Sequence, residues 1–254
     1  MSFKNNSERS WADIKNNIHQ SNVVHLWIAD LKTFDLGKIS NLLSVEELTK
    51  GDKFYFAKDR KTYLASRGLL RFLLGKYTAV SACEITFDYN RFGKPGLAFP
   101  LSGEIFFNIS HSGDFCLLSF SYSHQIGIDV ELIKPVDYEL LAKNIFSINE
   151  QAEFESVSAD LKAKSFFCGW TRKESFIKGI GEGLSFPLKN FSVVLNPKIP
   201  VSKVEIHSEN SPDYENWQTF DISFDTQYCA ALAVKNPDTF AFEKFYIDDY
   251  SQMF

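Results

Sequence analysis

The chain lacks any C-x-x-C pair, and no histidine stands at zinc-ligand spacing from its four cysteines, Cys83, Cys116, Cys168 and Cys229. That excludes a zinc ribbon or knuckle and argues against a disulfide framework. The cysteines read as buried or idle thiols in a reducing compartment. The opening MSFKNNSERS has no apolar core of a secretory signal. No apolar run approaches the ~20 residues that cross a bilayer. The expectation is a cytoplasmic chain without a membrane partner. Positive charge is also short: the formal net charge is −5 and the pI about 5.6. A general nucleic-acid binder would be basic, so no nucleic acid is expected, although a local basic patch for a small anion remains open. There is no low-complexity linker and no defensible sequence repeat.

What is present suits a well-filled core. Of 254 residues, 44% are hydrophobic and 15% aromatic, with 25 phenylalanines. This length serves one large domain or two small ones. VVHLWIADL (23–31), ITFDY (85–89), IFFNI (105–109), FCLLSFSY (115–122) and IGIDVELI (126–133) read as strands. Further strands are expected near 190–195, 202–207, 217–224 and 228–235. Ser44 with Glu47 and Ser147 with Glu150 are capping-box patterns. Helical spacing predicts helices over about 59–77, 137–145 and 161–180, the last stopped near Gly181 and Gly183. SHSGD is read as the loop between two strands, and 236–254 carries no assigned role. Strands and helices mix without regular βαβ alternation, so the fold class is α+β.

Four groups of residues could carry chemistry. Asp129 and Glu131 stand two apart on a strand, so both carboxylates point to one face. Two like charges on one face suit either a solvated edge or half of a hard-metal site. On the helix, Glu174 falls within the apolar arc of Phe166, Phe167, Trp170 and Ile177. A buried carboxylate needs a partner. An i,i+4 pair with Lys178 would explain a surface glutamate better than this one. Asn108, Ser110, His111 and Ser112 offer donors for phosphate oxygens, or a turn that satisfies its own backbone. In RFGKPG, Gly93 and Pro95 shape a tight turn that holds Lys94 outward. Two strand carboxylates, one helix carboxylate and several phosphate-type donors form an inventory for a metal-bound diphosphate.

At these residues the sequence resembles the 4'-phosphopantetheinyl transferases, specifically the larger, surfactin-synthetase-activating type. The matching blocks are FGKP (92–95), FNISHSGD (107–114), GIDVE (127–131) and WTRKESFIKGIGEGLSFPL (170–188). A weaker likeness runs through KFYFAKDRKTYLASRGLLR (53–71). The resemblance implies two similar α+β halves in a pseudo-dimer, 1–124 and 125–254, with the active site between them and the metal and catalytic residues on the second. It implies a monomer that takes coenzyme A as donor and an acyl, peptidyl or polyketide carrier protein as acceptor, with Mg2+. Carried over singly, Asp129, Glu131 and Glu174 match magnesium ligands. Ser110 and His111 match contacts to the coenzyme A phosphates, and Lys178 matches a lysine on the diphosphate. Gly93, Lys94 and Pro95 match the loop around the adenine and 3'-phosphate. Lys50 matches one of two lysines near the 3'-phosphate, and the companion position is Glu47, with Arg67 as a substitute. The general base is Glu174 or Glu150. A non-catalytic coenzyme A-binding or carrier-docking module, and a magnesium-dependent phosphatase or nuclease, are the competing readings.

Overall fold

The computed structural model describes residues 10–20, 22–207, 214–238 and 240–247. The leading segment read for a signal sequence lies mostly outside them. In chain order the elements begin with α1 (Trp11–Gln20), β1 (Val23–Asp30), α2 (Leu36–Ile39), α3 (Val45–Gly51) and α4 (Ala57–Thr78). Short strands β2 (Phe87–Tyr89) and β3 (Pro95–Leu97) precede β4 (Phe106–Ser112), β5 (Phe115–Ser121) and β6 (Ile126–Leu132). Then come α5 (Tyr138–Ile145), α6 (Ile148–Ser156), α7 (Lys162–Ile180), β7 (Phe191–Ser192), β8 (Val201–Lys203) and β9 (Glu205–Ile206). The chain closes with β10 (Trp217–Asp221), β11 (Tyr228–Lys235) and β12 (Ala241–Ile247).

Two four-stranded sheets organise the molecule, with strand orders β12-β1-β5-β4 and β6-β11-β10-β8. Their facing sides share one apolar layer. Val24, Leu26, Ile28 and Leu117 from the first sheet meet Ile128, Val130, Leu232 and Val234 from the second. The opposite face of the first sheet packs Trp27, Ala29 and Leu118 against Leu69, Leu70, Leu73 and Tyr77 of α4. Strand β1 is therefore apolar at successive positions because both its faces are covered. On the outer face of the second sheet, α7 buries Phe166, Phe176 and Ile177 beside Trp217 and Ala233. The architecture is thus α+β in two similar halves, each a sheet backed by a long helix.

Several boundaries differ from the sequence reading. Strand β4 continues through Ser110, His111 and Ser112, so the expected SHSGD loop shrinks to a turn at Gly113 and Asp114. The ladder explains this, because Ser110 pairs with Leu117 and His111 with Cys116 across β5. The stretch near 190–195 is a strand only at Phe191–Ser192, and the region near 202–207 splits into β8 and β9. The C-terminal stretch without an assigned role holds β12, which pairs in parallel with β1 and completes the first sheet. Both capping boxes form as read, at Ser44–Glu47 and Ser147–Glu150.

Candidate active site

The site is built where β4 of the first half lies along β6 of the second. These strands do not share a ladder. Side chains bridge them instead. Asn108 Oδ1 accepts from Ile128 N at 2.9 Å, Ser110 Oγ from Val130 N at 3.4 Å, and Ser112 Oγ from Leu132 N at 3.1 Å. The alternation 108/110/112 puts three acceptors on one face of β4. They satisfy amides that an edge strand would otherwise leave open. This stitching is what Asn108, Ser110 and Ser112 do locally, from a strand and not from a loop.

The odd residues of β6 face α7. Gly127 is required there, since a Cβ would come within 2.0 Å of the Ser175 carbonyl and 2.3 Å of Gly179 N. The close approach lowers α7 onto Asp129 and Glu131. Asp129 is 3% exposed, so it is not on the solvated edge. Its Oδ1 accepts from Ser110 Oγ at 2.9 Å and from Lys178 Nζ at 2.6 Å. Lys178 also donates to Ser110 Oγ at 2.8 Å. Lys178 thus reaches across to Asp129, and the i,i+4 pairing is not what neutralises Glu174. Glu131 accepts from Ser112 Oγ at 2.8 Å, and burial raises its pKa above the usual carboxylate value.

Two carboxylate oxygens in this cluster, Asp129 Oδ2 and Glu174 Oε1, are buried without a hydrogen-bond partner. An orphaned acceptor in such a place is costly. Burial, then the Asp129 charge, push the Glu174 pKa up to about 7, against a smaller opposing pull from Lys178. Among the described residues no three His, Cys, Asp or Glu side chains close into a finished metal cage. The donor set is nonetheless all hard oxygen, with two lone acceptors and mutual repulsion, and it suits a cation of the magnesium type.

A cavity of about 270 Å³ opens beside the cluster, lined by Tyr63, Ser66 and Arg67 of α4, Ser110 and His111 of β4, and Lys178 of α7. His111 stays accessible there. Crowding by protein atoms, then the Lys178 ammonium, hold its imidazole below the ordinary pKa. Arg67 is clamped from behind. Its guanidinium reaches Glu47 Oε1 at 2.6 Å and lies 4.5 Å from the centroid of the Phe87 ring. Glu47 Oε2 takes Arg71 Nε at 2.5 Å. Glu47 is therefore consumed as a counter-ion, while Arg67 keeps an edge toward the cavity. Lys50 is exposed and sits 5.3 Å from the Tyr63 ring centroid, outside the cavity lining.

The FGKP turn behaves differently from the sequence reading. Gly93 adopts φ +86°, as the tight turn requires. Lys94 is not held out to water. Its ammonium donates to the Gly179 carbonyl at 2.7 Å, and Asn90 Nδ2 donates to the Gly181 carbonyl at 2.7 Å. The turn before Pro95 thus caps the carboxyl end of α7, where a cation is favoured. Burial lowers the Lys94 pKa to about 8. Glu150 is not brought to the cluster either. Lys173 Nζ donates to both its oxygens at 2.8 and 2.7 Å, and the amides of Ser147 and Val193 add 2.7 and 2.8 Å bonds. At 1% exposure it has no free acceptor for a substrate proton.

Sequence reasoning missed Tyr63 and Ser66. Their only signal is a shared helix face with Arg67 at i, i+3 and i+4. Asn90 was also missed, because its partners lie on a distant helix.

Comparison with known proteins bears on this site. Residues 125–233 match the family model of the 4'-phosphopantetheinyl transferase superfamily, and residues 27–123 match that of the 4'-phosphopantetheinyl transferase N-terminal domain. The chain is 36% identical over 219 residues to the 4'-phosphopantetheinyl transferase HetI of Nostoc sp., covering 84% of this chain and 88% of that one. It is 34% identical over 194 residues to the 4'-phosphopantetheinyl transferase Sfp of Bacillus subtilis, covering 76% and 84%. The 4'-phosphopantetheinyl transferase gsp of Aneurinibacillus migulanus is 33% identical over 158 residues, or 62% and 64% of the two chains.

Proposed function

The chain belongs to the 4'-phosphopantetheinyl transferase superfamily, as an enzyme of the larger surfactin-synthetase-activating type, and we propose that it moves the phosphopantetheine arm of coenzyme A onto a serine of an apo carrier protein in a magnesium-dependent reaction. The observation that carries this reading is the pair of orphaned carboxylate oxygens on Asp129 and Glu174, set beside a cavity lined by Lys178, His111 and Arg67. Carboxylates alone would repel a diphosphate. Carboxylates plus a cation site and basic donors would hold one.

Asp129, Glu131 and Glu174 would hold the ion, which would supply charge neutralisation on the diphosphate. The remaining work falls to side chains. Lys178, 2.6 Å from Asp129, would swing its ammonium onto a non-bridging oxygen. His111, with its lowered pKa, would donate one N–H from the neutral imidazole. Ser110 orients Lys178 and Asp129 together. Arg67, on the cavity wall, would meet the adenosine 3'-phosphate end, whereas Lys50 lies outside that lining and Lys94 of the Gly93–Lys94–Pro95 turn is held on the Gly179 carbonyl. The carrier serine oxygen bonds to the phosphorus that bears pantetheine. The bond from that phosphorus to the bridging oxygen breaks, and adenosine 3',5'-bisphosphate leaves. Glu174, with a pKa near 7, would take the serine proton, a role that Glu150 cannot fill from inside its ion pair. The reading carries with it a cytoplasmic monomer. Its halves would divide at 124/125, with β12 returning to the first sheet.

The test is to incubate the protein with coenzyme A, magnesium and an apo carrier protein, and to weigh the carrier by mass spectrometry. A gain of one phosphopantetheine arm is expected. Glu174→Gln should lose at least about 100-fold of the rate, the usual scale for a positioned proton acceptor. It should keep its circular dichroism spectrum. Near-normal turnover by a folded Glu174→Gln would remove Glu174 from the chemistry.

A further inference from the structure

A second cavity, of about 450 Å³, lies away from the one described above. It is lined by Lys164, Asp221, Phe224 and Tyr228, and also by Cys168 and Cys229. These two cysteines are 61 residues apart in sequence, yet their sulfurs stand 3.4 Å from each other. Cys168 is on α7 and Cys229 on β11. Both are free thiols. Buried thiols are usually inert because nothing reaches them. Here the shared cavity gives a small oxidant a route to both. A disulfide needs a sulfur separation near 2.05 Å, so closing the pair asks for a movement of roughly 1.3 Å.

We propose that Cys168 and Cys229 form a dithiol–disulfide modification site whose oxidant is a peroxide. One thiolate attacks the peroxide oxygen, gaining oxygen as a sulfenic acid and releasing one water. The second sulfur then attacks the first, the S–S bond forms, and the sulfenic oxygen leaves as a second water. Two thiols lose two electrons and one peroxide gains them. The reading of these cysteines as idle thiols therefore changes.

The position of the pair gives the cross-link a consequence. Cys229 is the direct cross-strand partner of Glu131 in the β11–β6 ladder. Opposed residues in an antiparallel pair put their side chains on the same face. Cys229 thus neighbours Glu131 under α7, the helix that carries Cys168, Glu174 and Lys178. Drawing the two sulfurs together pulls α7 and β11 toward each other at the carboxylates. A misplacement of about 1 Å at reacting groups costs on the order of 100-fold. The oxidised enzyme is therefore slowed, by roughly ten- to a hundredfold.

The experiment treats the whole reduced protein with hydrogen peroxide, alkylates free thiols under denaturing conditions, and maps peptides by mass spectrometry. A linked Cys168–Cys229 peptide, reversed by dithiothreitol, is expected, while buried Cys116 is recovered alkylated. Recovery of Cys168 and Cys229 as separate alkylated peptides overturns the site. The rate effect rests on the transferase reading, but the cross-link does not, so the two can fail separately. Reduced protein should be active, oxidised protein slowed, and Cys168→Ser active and unaffected by peroxide. Should Cys168→Ser fold poorly, Cys229→Ala serves in its place. An unchanged rate at full cross-linking, or an equal loss in the serine variant, overturns the coupling.

Discussion

Helices α3 and α6 begin with the same device in the two halves of the molecule. Each is opened by a serine N-cap, Ser44 or Ser147, and a glutamate three residues on, Glu47 or Glu150. Each glutamate then turns inward to a cation on the long helix of its own half: Glu47 to Arg67 and Arg71 of α4, Glu150 to Lys173 of α7. The difference lies in where those cations end. Lys173 is wholly buried, 0% exposed, and its ammonium also meets the Phe191 carbonyl. Arg67 keeps an edge on the cavity beside Ser110 and His111. In the second half the ion pair is spent on structure, and the side chains left facing the Asp129 cluster are Glu174, the next residue, and Lys178. In the first half one guanidinium both holds Glu47 and lines the cavity.

Breaking the two pairs should expose that asymmetry. Glu150→Ala strands an ammonium with no route to water, and it should cost about 3–5 kcal/mol of stability, the scale for uncompensated buried charge. Lys173, with its pKa already lowered to about 8 by burial, would partly escape by losing its proton. Replacing both partners by Leu and Met should recover most of the loss in thermal denaturation. No recovery would mean that the pair holds more than its own charge. Glu47→Ala should cost less, about 1–3 kcal/mol, because Arg71 keeps the Ala82 and Ile85 carbonyls and Arg67 can be hydrated through the cavity. Its larger effect should be a raised KM for coenzyme A with kcat little changed, since Arg67 loses its anchor. Equal destabilisation by the two alanine variants would erase the distinction between the halves.

The halves are also tied by the Asn90 turn, and Asn90→Ala should cost about 1–2 kcal/mol in a denaturant melt by removing one inter-half hydrogen bond and two turn bonds. A neutral result would show that Lys94 alone holds the turn on α7. This link was invisible in the sequence, where RFGKPG reads as a local turn with a solvated lysine. The same limit applies to SHSGD, which reads as a loop until β5 pairs with Ser110–Ser112 and β6 supplies the amides that Ser110 and Ser112 accept from. Local signals survived well. Both capping boxes, the alternation in β6, and the place of Glu174 on an apolar arc could be read from spacing alone. The pseudo-repeat could not, because Glu47 and Glu150 share a motif while their cations differ in type and in helical position. Strand β12 was missed for a related reason: its partner β1 lies at the far end of the chain.

The pH dependence of stability separates Glu174 from the paired glutamates most directly. Its pKa is raised from 4.5 to about 7 by burial and by Asp129. The folded protein therefore holds this proton more tightly than the unfolded chain does. Its contribution to stability is full below pH 4.5 and is lost as pH rises to about 7. Glu174→Gln cannot titrate there, so wild type should lose melting temperature relative to the variant across that window. Above it, the ionised Glu174 faces Asp129 and Glu131 with an oxygen unpartnered. Magnesium added at pH 8 should then raise the wild-type melting temperature by binding the folded state. The gain should shrink at pH 5.5, where protonation competes, and shrink again in Glu174→Gln. A magnesium-induced shift of equal size in wild type and variant at both pH values would place the ion elsewhere, and Glu174 would then stand as a buried acid with no cation to serve.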